Sequence, residues 1–119
     1  MSPADYPEGV RLELLRIGGA WAARGQDPPA APARKRGADG RKPEAYPSFR
    51  LAPAPHLEQL ADYHAGMARK KLLRYAAEPT PWLARKVAEH MLFANLARQL
   101  FNERTERLPR EGLPFPMPA

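Results

Sequence analysis

The sequence predicts an all-α protein of three helices, the last two forming a hairpin, with extended proline-rich segments and no substantial sheet. Three observations lead there. First, the fifteen prolines of the 119-residue chain are clustered, seven between positions 28 and 55 and four between 109 and 118. Proline fixes φ and removes an amide donor, so these zones are neither helix nor central strand. Second, the windows between them carry apolar residues at spacings of three and four, the period of a helix face. Third, the windows are bounded by the residues that start and stop helices.

The first helix is expected at about 8–24, inside an N-terminal amphipathic segment 1–27. Val10, Leu14, Ile17 and Trp21 recur at steps of 4, 3 and 4 and share one face. Pro7 stands where a first-turn proline is tolerated. Gly25 and then Pro28-Pro29 end the helix. Gly18-Gly19 inside it costs about 1 kcal/mol per glycine relative to alanine. Two uses would offset that cost: a kink, or the close approach of another backbone.

Residues 28–55 read as a proline-rich basic strap. "DPPAAPA" is polyproline-like, extended and stiff. "GADG" is a turn, and "EAYPSFRLAPAP" looks extended, with Tyr46 and Phe49 as anchors. A structureless run of this length suits a strap lying across something else better than a loop inside a compact domain.

The segment 56–108 is the helical hairpin. Its first helix is expected at about 56–77, with Pro55 at its start. Leu57, Leu60, His64 and Tyr75 mark one face, and Arg69, Lys70, Lys71 and Arg74 make the last turns cationic, which suits the negative end of the helix dipole. The second helix is expected at about 81–108, with Thr80 as N-cap, Pro81 at the first position and Pro109 beyond the end. Trp82, Phe93, Leu96 and Leu100 lie on one side, and Leu83, Val87, Ala94 and Phe101 about 100° round from them. So broad a belt needs more than one partner helix. Glu78, Pro79 and Thr80 form a tight joint. The remaining segment 109–119 is an extended tail in which Leu113, Phe115 and Met117 alternate with prolines, a pattern that docks into a groove on a partner.

At this size the chain is one domain at most, and about 70 residues are free to build a core, which is marginal without a covering partner. Cys is absent, so there is neither a disulfide nor a cysteine zinc site, which fits a reducing compartment. The longest stretches without a charged residue, "HMLFANLA" and "GLPFPMPA", are eight residues each, far short of the roughly 20 that span a bilayer. "MSPADYPEGV" has neither signal-peptide nor transit-peptide character.

The formal net charge is +6, which favours anionic partners. The densest cationic run is "ARKRGADGRKPEAYPSFR", where Arg34, Lys35, Arg36, Arg41 and Lys42 surround a turn. Guanidinium forks match phosphate oxygens, and such contacts position a partner without reading sequence. Arg69, Lys70 and Arg74 extend this candidate anion or nucleic-acid footprint. The competing readings are a solvated linker and contact with an acidic protein. Trp21, Tyr46, Phe49, Trp82, Phe93, Phe101 and Phe115 are candidates for partner docking, and the two tryptophans are read as core between helices rather than as a ligand cage.

Catalysis finds little support. Ser2 and Ser48 are the only serines, and both lie in proline-rich segments without a base beside them. His64 reads as a core or interface histidine with one hydrogen bond, and Glu89 and His90 diverge on a helix. His56 and His64 are too far apart in sequence for a metal pair on one helix, HExxH is absent, and "GADGRK" lacks the residues of a phosphate loop. No catalytic, cofactor-binding or metal-binding residue is assigned.

The leading expectation is a non-catalytic accessory subunit of a large assembly, namely a ribosomal protein of an organelle, on the mitochondrial matrix side. It would contact rRNA phosphates and several protein subunits and would not be a free-standing monomer. The alternative is a soluble accessory subunit of a respiratory-chain or other membrane complex. A small enzyme and a free adaptor rank below these.

Overall fold

The computed structural model describes residues 2–24 and 49–118. Three helices carry the fold: α1 (Glu8–Arg24), α2 (Ala54–Ala77) and α3 (Pro81–Arg104), with single 3-10 turns at Pro3–Asp5 and Phe49–Leu51. There is no strand among the described residues, and α2 and α3 form the expected helical hairpin. The α2–α3 interface is the most extensive, and α1 packs mainly on α3.

Two helix ends differ from expectation. α2 begins at Ala54 rather than at 56, with Pro53 as N-cap and Pro55 inside the first turn. The missing amide of Pro55 has no helical partner there in any case, so the proline is absorbed rather than left outside. α3 stops at Arg104, not near 108. Its C-cap is Thr105, after which Glu106 takes a left-handed φ of 57°. The Arg107 amide then donates to the Asn102 carbonyl at 2.8 Å and the Glu106 amide to the Glu103 carbonyl at 3.4 Å. This is the Schellman arrangement, completed here without glycine.

Two apolar clusters flank α3. In the first, Val10, Leu14 and Ile17 of α1 meet Ala65 and Ala68 of α2, Val87 and Met91 of α3, and Tyr6 and Phe115 from outside the helices. Alanines on both hairpin helices let the backbones approach closely, and the larger side chains come from α1. In the second, Leu57 and Leu60 of α2 meet Ala97, Leu100 and Phe101 of α3 under Phe49. Each fully buried aliphatic side chain contributes about 1.5–3 kcal/mol.

α1 runs unbroken through Gly18-Gly19. A Cβ built on Gly18 would meet only the Leu92 side chain at 3.9 Å, and one on Gly19 meets nothing within 4 Å. No backbone of the described residues approaches the pair. The glycines instead floor a shallow apolar groove of about 200 Å³ beside Leu14, Leu15 and Leu92.

The tail was expected to dock on a partner. In this structure residues 105–118 turn back and run along the chain's own α3. Asn102 Nδ2 donates to the carbonyls of Pro109 (3.2 Å) and Glu111 (2.8 Å). Arg98 Nε reaches the Glu111 carbonyl at 3.4 Å. Asn95 Nδ2 donates to the Phe115 carbonyl, while the Phe115 amide donates to Asn95 Oδ1 at 3.1 Å. Tyr6 Oη closes the row on the Pro116 carbonyl at 2.7 Å. A proline-rich ribbon offers many carbonyls and few amides, so a docking surface for it must supply donors. Asn95, Arg98 and Asn102, spaced by 3 and 4 along one side of α3, do so.

Candidate nucleic-acid interface

The hairpin tip is built from the last turns of α2 and the first turns of α3. Thr80 sets the angle of the joint, its Oγ1 accepting the Leu83 amide at 3.2 Å. This brings the two cationic stretches together: five Lys or Arg against a single acid between residues 70 and 86. Trp82 stands among them with 54% of its surface exposed, and Leu73 is 76% exposed. Lys71 Nζ lies 5.5 Å and Lys86 Nζ 5.9 Å from the Trp82 ring centroid. Both ammonium groups are thus drawn to the ring face while the ring stays open to solvent.

Part of the charge is neutralised locally. Glu89 accepts from Arg85 Nε at 3.0 Å and from Lys86 Nζ at 3.3 Å. Lys70 and Arg74 are exposed and make no ion pair among the described residues. The field of this end reaches inward: after burial, the charge of Lys71 is the next cause holding His90 below its ordinary pKa. A positive tip with an open aromatic face suits an anionic backbone bearing planar groups.

The other predicted residues fall in different places. Arg69 turns away from the tip and lies over the Phe115 ring, 5.3 Å from its centroid. Phe49, Phe101 and Phe115 are buried in the chain's own packing. Phe93 is half-buried, stacked on Phe49 at 5.5 Å and touching Trp21 at 5.1 Å. Trp82 is not core between helices, as its sequence position suggested; it is the exposed aromatic of the tip. Arg34, Lys35, Arg36, Arg41, Lys42 and Tyr46 lie outside the described residues. Sequence reasoning passed over Lys86, which completes the setting of Trp82, and Arg98. The spacing of Trp82 and Lys86 by four on one helix was the available signal.

A second concentration of polar groups lies within the hairpin. His64 Nδ1 and His90 Nδ1 are 2.8 Å apart. Tyr63, Phe49 and Phe93 surround His64. Burial, and then the neighbouring His90, lower the His64 pKa to about 4, so both rings are neutral near pH 7. One Nδ1 must donate to the other. If His90 donates, His64 carries its proton on Nε2, which has no hydrogen-bond partner and can point that N–H at an aromatic face. The reverse tautomer would bury a bare lone pair there. The pair is a packed, neutral contact rather than a base poised near neutral pH. Among the described residues there is no group of three or more His, Cys, Asp or Glu placed to hold a metal ion, and no helix is long and apolar enough to cross a membrane.

No family model, curated protein or solved structure matches this chain.

Proposed function

We propose that this chain is a non-catalytic structural subunit of a large RNA-containing assembly, in its sharpest form a ribosomal protein of an organelle on the mitochondrial matrix side. The observation that carries the reading is the tip: Trp82 exposed beside Lys71 and Lys86. Lys70, Lys71 and Arg74 would lie on rRNA phosphates, and the open Trp82 face would take an unpaired base. Stacking of this kind is sequence-tolerant and contributes about 1–3 kcal/mol per base. The cations at 34–42 would lengthen the phosphate footprint. Exposed Leu12 and Leu15 on α1 would face neighbouring protein subunits.

The test has two parts. The chain should sediment with ribosomal particles and be released by RNase, and the purified chain should bind single-stranded RNA with an affinity that falls steeply as salt rises. Sedimentation that survives RNase, together with no RNA binding at low salt, overturns the reading. One feature of the same tip favours a second: Leu73 and Trp82 exposed beside lysines is also a composition that settles at lipid headgroups. A subunit of a respiratory-chain or other membrane complex would remain with the membrane fraction after RNase.

A further inference from the structure

Away from the tip, α2, α3 and the returning tail enclose a half-open cleft of about 280 Å³, with Asp62, Arg69, Arg98, Gly112 and Pro114 on its walls. Two arginines share it, and each is held in place by an aromatic ring. The Arg69 guanidinium lies 5.3 Å from the Phe115 centroid and that of Arg98 5.1 Å from the Phe101 centroid. Arg98 spends its Nε on the Glu111 carbonyl at 3.4 Å, which leaves its terminal nitrogens unused. Neither guanidinium makes an ion pair among the described residues, Asp62 included. Two like charges gathered on one cleft repel each other unless an anion joins them. These contacts orient the two side chains in part, which lowers the ordering cost of binding.

We infer that this cleft is an oxyanion site, binding one phosphate group between the Arg69 and Arg98 forks. Gly112 is part of the construction. Its φ of +67° is a conformation glycine adopts without strain, and a Cβ added there would sit 3.0 Å from Arg98 Nη2. Asp62 on the same wall opposes negative charge, which the two guanidiniums must outweigh, and the cleft has room for one phosphate group. The inference does not depend on the reading of the tip, because no tip residue lines the cleft.

The experiment is an NMR titration of the full chain with inorganic phosphate at constant ionic strength, following the arginine Nε–H signals, with chloride as control. The Arg69 and Arg98 signals should shift saturably with phosphate and not with chloride. Binding should weaken about tenfold or more in Arg69→Gln and in Arg98→Gln, with Arg85→Gln unchanged. Arg69→Gln breaks no hydrogen bond of the tail, so its loss of binding is separable from a loss of folding. Absence of a saturable shift, an equal response to chloride, or undiminished binding in Arg69→Gln overturns the proposal. A short single-stranded RNA added to a Lys70→Gln, Lys71→Gln, Arg74→Gln chain separates the sources. Displacement of phosphate marks a nucleic-acid phosphate as the occupant, and binding of phosphate without displacement marks a free one.

Discussion

His64 and His90 meet across the hairpin, Nδ1 to Nδ1 at 2.8 Å, although 26 residues separate them in the chain. The rings meet as neutral groups, because burial opposes charging either one. The native state holds His64 down to about pH 4, whereas the ordinary value is 6.5. Between these values the unfolded chain binds more protons, so stability rises with pH. The contribution is complete above pH 6.5 and is lost as pH falls through about 4. The loss is roughly 3 kcal/mol, and the depression of His90, caused mainly by burial, acts in the same direction. Urea melts between pH 7 and pH 4 should show it, and His64→Phe should remove most of the slope. An unchanged slope in that variant would place the acid sensitivity elsewhere.

Asn95→Ala should be among the most damaging single changes. It strips the partners from both the amide and the carbonyl of buried Phe115, at a cost of about 2–4 kcal/mol. The tail should also loosen, with faster tryptic cleavage at Arg107 and Arg110. A melting temperature equal to that of the parent would refute the docking scheme.

Glu106→Gly should stabilise the protein by about 1 kcal/mol. Glu106 holds a left-handed φ of 57°, which strains any residue with a Cβ by roughly that amount. Chemical denaturation checks it, and a destabilised variant would mean that the Glu106 side chain contributes more than its backbone costs.

Gly19→Ala offers a second gain of about 0.5–1 kcal/mol, since the site is interior to α1 and a methyl there meets nothing within 4 Å. No change, or a loss, in the denaturation midpoint would indicate that α1 needs the glycine for a reason other than space.

Replacing Lys70, Lys71 and Arg74 together by Gln should leave the fold intact and change only association. On single-stranded RNA the slope of log affinity against log salt should become shallower by about 2, the contribution of three phosphate contacts. An identical slope would remove these residues from the interface.

The helices were legible because burial imposes a period on them. The spacing of Val10, Leu14 and Ile17 puts them on one face, and all three are buried. The proline at 81 and the threonine before it marked the start of α3 to the residue. The end of α3 was hidden, because Glu106 gives no sign that it will adopt a glycine conformation, and the apolar pattern continues to Leu108. The docking of the tail was hidden for a different reason. It rests on long-range bonds from Asn95 and Asn102 to main-chain carbonyls, which leave no periodic trace. The basic character of the tip was readable from Arg69 to Arg74, but the direction of Arg69 and the exposure of Trp82 depend on how α3 rotates against α2. Local sequence does not determine that angle.

The bond from Tyr6 to Pro116 joins points 110 residues apart, with Phe115 and Val10 packed in the same cluster beside it. Mechanically this is a clasp. Tension applied through handles at residues 6 and 116 would load the clasp first, peeling the tail from α3 before any helix is stretched. Handles at residues 24 and 104 would bypass the clasp and pull on α1 against α3. The molecule should therefore resist force differently along those two directions, yielding early in the first and late in the second.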